Sequence, residues 1–101
     1  MPTATKEKES YREELADIHQ EAQKLIDAGN FRAGGSCFFK AAELAKQHGK
    51  EEDMISAAKS AMGMFLKSSG EMKEIGFKAQ AEADHTYAVS IAKLYRLEAP
   101  E

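Results

Sequence analysis

The sequence is poor in residues that break helices. Its two prolines stand at positions 2 and 100, valine occurs once, and tryptophan is absent. A chain interior without proline and with few β-branched residues favours helices over strands. We therefore expect an all-α protein.

Cysteine and positive charge are also scarce. The single cysteine, Cys37, excludes an intrachain disulfide, and we interpret it as a small apolar core residue and not as a nucleophile. The net charge of -3, without a run of lysine and arginine, predicts no nucleic-acid surface. No apolar run is long enough to cross a membrane, and residues 1–14 lack the apolar core of a signal peptide. We expect a cytoplasmic protein.

Apolar residues recur at helical spacing along the chain. The first stripe has spacings of four, three, four and three and consists of Tyr11, Leu15, Ile18, Ala22 and Leu25. A capping box at residues 10–13 marks a helix start, although the charged run at residues 6–9 leaves an earlier start open. Similar patterns predict further helices over residues 32–48, 51–68 and 72–97, with glycines at positions 29, 49 and 70 in the turns.

The short connections between these segments place each helix antiparallel to the one before it. We therefore predict one domain of two antiparallel helical hairpins over residues 7–97, with a frayed N-terminus at residues 1–6 and a tail at residues 98–101. A chain of 101 residues suffices for one hydrophobic core and is too short for two.

A ten-residue pattern occurs twice, 41 residues apart. It consists of a small residue, a large apolar residue, a glycine and a second apolar residue. The first copy is Ala22, Leu25, Gly29 and Phe31, and the second is Gly63, Leu66, Gly70 and Met72. In each copy the small residue admits a neighbouring helix and the glycine ends its own helix. Such repetition predicts stacked helical hairpins, which present surfaces and not chemistry.

The segment 15–44 resembles a tetratricopeptide (TPR) repeat. The residues that match this family's pattern are Ala22, Leu25, Gly29, Asn30, Phe31, Gly34, Phe38 and Ala41. The chain departs from the pattern at Glu21 and Lys46, where the family prefers leucine and proline, and the second copy matches only in its first helix. The runs at residues 33–44 and 90–95 also resemble the longer repeats of SNAP adaptor proteins. The resemblance implies a protein–protein interaction module.

The TPR resemblance also implies where a ligand would lie, along the face formed by the first helix of each hairpin. Carried over by position, the residues on this face are His19, Gln23, Ile26, Asp27, Met64 and Lys67, with Ala16, Ala57, Ser60 and Ser68 beside them. Family members that clamp a C-terminal carboxylate have lysine and asparagine where His19 and Gln23 stand. That particular ligand is therefore not expected.

The predicted fourth helix carries apolar residues on more than one face. Tyr87, Ile91, Leu94 and Tyr95 cannot all turn toward three other helices. We therefore expect part of this surface to contact a partner, most simply a second copy of the chain.

An alternative function rests on Glu82 and His85. A Glu-x-x-His motif on a helix is half of the carboxylate-bridged two-metal site of some four-helix bundles. The chain has no second such motif, so this alternative needs a symmetric dimer that binds a metal or small ligand. Because no nucleophile–base pair or cofactor motif is present, we expect a protein that is not an enzyme and has no cofactor.

The glycine pair Gly34 and Gly35 lies at the start of the predicted second helix. A phosphate-binding loop needs more glycines and a following Lys-Ser or Lys-Thr, which the chain lacks here. We interpret the pair as a close helix contact, with Gly34 against Ala22.

Overall fold

The structure, a computed structural model, describes the backbone of residues 3–100 and the side chains of residues 10–100. It contains four helices: α1 (Thr3–Asp27), α2 (Phe31–Gln47), α3 (Glu51–Glu74) and α4 (Lys78–Leu94). No strand occurs in the described range, which confirms the predicted all-α class. Residues 3–6, expected to be frayed, belong to α1, and the frayed-end prediction for residues 1 and 2 lies outside the described residues.

The helices α1, α2 and α3 end in the same kind of turn. Each turn contains a glycine in the left-handed region: Gly29 (φ 82°), Gly49 (φ 68°) and Gly76 (φ 89°). In each turn the next residue donates its N–H to a carbonyl five residues back, as Phe77 does to Met72 over 2.8 Å. This bond satisfies a carbonyl that the helix end would leave free, and glycine permits it without strain. At the end of α4, Arg96 adopts the same conformation (φ 56°).

The predicted end of the third helix at residues 68–70 is wrong. Helix α3 continues to Glu74, and α4 begins at Lys78 instead of residue 72. Gly70 lies inside α3, and nothing is within 4 Å of the position that its Cβ would occupy. Ser68 and Ser69 donate their hydroxyl hydrogens to α4 groups, Asp84 Oδ2 and the Ala81 carbonyl, both at 2.7 Å. Because this stretch of α3 packs on α4, the helix is stabilised beyond Gly70. The two copies of the ten-residue pattern are therefore not structurally equivalent.

Each helix packs antiparallel on the next in chain order. Tyr11 in the first half of α1 contacts His48 just after α2, whereas Ile26 near the end of α1 lies against Gly34 near the start of α2. As a result, α1 and α3 lie on either side of α2, and α2 and α4 lie on either side of α3. The resulting array is elongated and flat, measuring 57 × 29 × 15 Å. The helical hairpins that the sequence predicts are present.

Small side chains dominate the core. The buried alanines are Ala22, Ala41, Ala42, Ala45, Ala57, Ala58, Ala61, Ala81, Ala88 and Ala92. Such residues allow helices to approach closely. The glycine pair Gly34 and Gly35 allows the shortest distance, because glycine has no side chain. A Cβ at Gly34 would lie 2.9 Å from Ile26 Cγ1 and 3.7 Å from the Ala22 carbonyl oxygen, in agreement with the predicted contact. Gly35 contacts α3 instead, which the sequence analysis did not predict.

Tyr11 joins the first half of α1 to the start of α3. Its hydroxyl donates to Asp53 Oδ2 at 2.8 Å, and its ring centroid is 4.8 Å from that of His48. Burial, the hydrogen bond to Asp53 and the charge of that carboxylate together raise the pKa of Tyr11 to about 12. The bond therefore holds the end of the first hairpin against α3.

We expect Tyr11→Phe to lower the free energy of unfolding by about 1 kcal/mol, because only the hydrogen bond is removed. Denaturant unfolding measures this loss, and Tyr87→Phe, at an exposed ring, is the matched control. Since the folded pKa is raised, the contribution of Tyr11 is complete below pH 10.0 and declines as the pH rises toward about 12. Equal losses in the two variants would contradict this role.

Candidate functional site

A cleft of about 100 Å³ lies between α1 and α3. Phe38 of α2 forms its floor, and the walls consist of Leu15 and His19 from α1 with Asp53, Ser56, Ala57 and Ser60 from α3. The His19 ring centroid is 5.9 Å from that of Phe38. The cleft thus combines an apolar floor with hydroxyl, imidazole and carboxylate groups along its walls. We name it the α1–α3 groove.

The residues assigned to the ligand face by resemblance fall into two groups. His19 lines the α1–α3 groove together with Ala57 and Ser60. Ile26 is instead packed against Gly34, so the hairpin contact occupies it. The structure therefore brings only some of the assigned residues into one cleft.

The remaining residues of that face lie nearer the α1–α2 turn. The Gln23 amide donates to Asp27 Oδ1 at 2.8 Å, and both side chains are exposed. The Lys67 ammonium is 4.5 Å from the ring centroid of Phe31, within cation–π range. Met64 is half-buried on α3. The polar groups of Gln23, Asp27 and Lys67 therefore lie at the surface.

A second, more apolar groove of about 280 Å³ lies between α2 and α4. Its lining consists of Ser36 and Phe39 from α2, Phe65 from α3, and Tyr87, Ser90, Ile91 and Leu94 from α4. The Tyr87 ring stacks on Phe65 with centroids 5.1 Å apart. We name it the α2–α4 groove.

Of the four residues in and just after α4 that were predicted to meet a partner, two are exposed and two are buried. Tyr87 and Leu94 are 58% and 50% exposed, whereas Ile91 and Tyr95 are 3% and 7% exposed. The Tyr95 ring packs edge-on against Phe39, with centroids 6.2 Å apart. Burial, together with the Glu43 carboxylate, raises the pKa of Tyr95. Only Tyr87 and Leu94 present a large part of their side chains to a partner.

An ion pair joins three helices, and its carboxylate is buried whereas its arginine side chain is 37% exposed. Asp84 on α4 is fully buried and accepts from Arg32 of α2 through Nε at 2.7 Å and Nη2 at 3.0 Å. The Ser68 hydroxyl of α3 donates to the same carboxylate at 2.7 Å. Burial alone would raise the pKa of Asp84, but the bonds from Arg32 and Ser68 outweigh it and lower the pKa. The carboxylate is therefore charged at neutral pH and serves as a structural link.

Neither Arg32 nor Asp84 was predicted from the sequence as part of an ion pair. The signal was present, because Asp84 precedes Ala88, Ile91 and Tyr95 at spacings of four, three and four. An acidic residue in phase with an apolar stripe must be paired when it is buried. The identity of its partner, 52 residues earlier, is not visible in the sequence.

Glu82 and His85 lie on the outer side of α4 in an open depression. Its other lining residues include two lysines, Lys73 and Lys78. Positive charges at this position oppose the binding of a divalent cation. In the part of the chain that the structure describes, no three histidine, cysteine, aspartate or glutamate residues lie together as metal ligands.

Cys37 is half-buried on α2. Burial and the nearby Glu21 carboxylate raise the pKa of its thiol, so the nucleophilic thiolate is disfavoured at neutral pH. This environment suits a packing residue better than a reactive one.

Comparison with models of protein families, with characterised proteins and with solved structures finds no match to this chain. Among the described residues, no helix is both long enough and apolar enough to cross a membrane. The structure defines an all-α array of four consecutively packed helices.

Proposed function

We propose that this chain is a protein–protein interaction module of TPR-like type, acting in the cytoplasm, and that it holds a peptide segment of its partner in the α1–α3 groove. The observation that carries the proposal is the position of His19 opposite Ser60 across the floor residue Phe38. Binding sites commonly combine an apolar lining with a few polar groups that fix the orientation of the ligand, and the volume of about 100 Å³ has room for a single side chain of the peptide.

The exposed surface of α3 beside this groove supports the proposal. Gly63 and Gly70 lie inside the helix, and nothing is within 4 Å of the position of a Cβ at either residue. Each glycine costs about 1 kcal/mol relative to alanine in a helix interior. No packing within the described residues offsets this cost, and the smooth surface leaves room for close approach of a partner backbone.

Two titratable groups whose pKa values are shifted also support a binding function over a catalytic one. The Asp84 carboxylate is bonded to Arg32, and the Tyr11 hydroxyl is bonded to Asp53. Both of these shifted groups have a partner that contributes to packing, whereas a catalytic group needs access to a substrate.

The groove can be tested by blocking it with a large side chain. We expect Ser60→Arg to remove the partners that the wild-type protein captures, as measured by affinity capture and quantitative mass spectrometry. The matched control is Ser36→Arg, which places the same side chain in the α2–α4 groove. Arginine has a higher helix propensity than serine, so both variants are expected to fold. Retention of the same partners by Ser60→Arg would refute the α1–α3 groove as the binding site.

A further inference from the structure

The exposed side of α4 carries a continuous stripe without charge. Its members are Ala83, Tyr87, Ser90 and Leu94, spaced by four, three and four residues, and all four are exposed. The exposed sides of the other helices carry charged residues, such as Asp17 on α1 and Lys40 on α2. A spacing that alternates between three and four is the spacing by which two helices pair along their length. We name these four residues the α4 stripe.

The α4 stripe is complementary in shape to the α4 stripe of a second copy that runs in the opposite direction. Its large members are Tyr87 and Leu94, and its small members are Ala83 and Ser90. In an antiparallel pair of α4 helices, Tyr87 of one copy faces Ser90 of the other, and Leu94 faces Ala83. Each large side chain thus meets a small one, which is how facing positions fill an interface without voids.

The charges beside the stripe are complementary in the same arrangement. Glu82 and Lys93 are exposed on one flank of α4, 11 residues apart in the chain, or about 16 Å along the helix. They therefore cannot pair within one copy. An antiparallel partner centred between Tyr87 and Ser90 brings Lys93 of the second copy to within about 3 Å of Glu82 along the helix axis.

We infer that the chain forms a twofold homodimer in which α4 packs antiparallel on α4 of a second copy through the α4 stripe. The second copy covers the mouth of the α2–α4 groove, because Tyr87 and Leu94 belong to both. Burial of these two side chains, counted on both chains, supplies the apolar contact, and the Glu82–Lys93 pairs set the direction. The α1–α3 groove lies across the array and stays open in this dimer.

Sedimentation equilibrium on the full chain over micromolar to millimolar concentration tests the dimer directly. We expect the wild-type protein to dimerise and Leu94→Glu to raise the dissociation constant roughly a hundredfold, since the change affects the contact twice. The matched control is Ile75→Glu at the α3–α4 turn, where the apolar side chain is 61% exposed and lies off the stripe. The control is expected to dimerise as the wild-type protein does.

A charge exchange tests the antiparallel direction. Glu82→Lys alone and Lys93→Glu alone should each weaken the dimer by about tenfold, and the double exchange should restore it. Both positions are exposed, so the variants are expected to keep their helical content by circular dichroism.

Three results would overturn the inference. A wild-type protein that stays monomeric at millimolar concentration refutes self-association and leaves the stripe to another occupant. A dimer that is insensitive to Leu94→Glu refutes this surface. A double exchange that fails to restore the dimer refutes the antiparallel pairing. Because none of these variants alters the α1–α3 groove, the peptide-binding proposal stands or fails separately.

Discussion

Replacing Arg32 by methionine is expected to lower the free energy of unfolding by about 2 kcal/mol, less than for a fully buried pair because the Arg32 side chain is 37% exposed. The substitution retains most of the side-chain length but leaves the fully buried Asp84 carboxylate without its cation. Ser68 and, with a smaller effect, Gln80 are then the remaining donors to the carboxylate. The loss should be visible in denaturant unfolding as a lower midpoint with an unchanged slope.

The matched control for this substitution is Arg12→Met. Arg12 is exposed on α1, and no ion pair joins it to another of the described residues. We expect little change in stability from it. Similar losses in the two arginine variants would show that the Arg32–Asp84 pair does not hold the three helices together.

The same ion pair predicts how stability depends on pH. Because the folded state lowers the pKa of Asp84, its contribution is complete above the ordinary aspartate pKa of 3.8 and is lost as the pH falls through the folded value. Without Arg32, burial is the dominant influence and raises this pKa. A raised folded pKa reverses the sign: in the Arg32→Met variant the buried carboxylate destabilises the fold when it is ionised, and protonation at low pH relieves this. The stability difference between the variant and the wild-type protein should therefore shrink as the pH falls. A chemical-denaturation series across the acid range measures both profiles.

Replacing Gly35 by leucine is expected to cost about 3 kcal/mol, because the side chain has no space between α2 and α3. Even a Cβ at this position would lie 3.0 Å from two Phe65 ring carbons and 3.3 Å from the Ala61 carbonyl oxygen. The ring is buried and the carbonyl belongs to the α3 backbone, so neither can move without separating the helices. Thermal or denaturant unfolding measures the loss.

Gly63→Leu is the control with the opposite expected sign. Nothing lies within 4 Å of a Cβ at Gly63, so the change should stabilise α3 by about 0.8 kcal/mol through helix propensity alone. The same substitution thus separates a glycine required for packing from one on an open surface. A gain in stability for Gly35→Leu would contradict the close approach of α2 and α3.

Much of the fold was predictable because its signals are local. A glycine followed by a return of apolar residues marks the turns at Gly29 and Gly49, and the apolar stripe of α1 shows which side is buried. Gly70 shows the limit of this reasoning. Gly70 and Gly76 can each end a helix, and the local sequence does not distinguish them. The contacts of Ser68 and Ser69 with α4 decide in favour of Gly76.

The candidate site was only partly predictable. His19 was assigned from the TPR resemblance, and the structure places it in a cleft with Ser60 and Phe38. Ile26 was assigned on the same grounds but packs on Gly34, because its half-buried side chain faces α2 and not the α1–α3 groove. The α2–α4 groove was not foreseen, since it depends on how far apart two helices lie across a third.

Local sequence patterns were enough to predict the helical class, the antiparallel order of the helices and the glycine contact between α1 and α2. These follow from backbone preferences and apolar spacing over a few turns. Contacts between distant segments fix three other features: where α3 ends, the burial of Asp84 against Arg32, and the exposure of Tyr87 and Leu94 while Ile91 and Tyr95 enter the core. The physical reason is that burial and charge pairing depend on residues distant in the chain, whose positions no local pattern records.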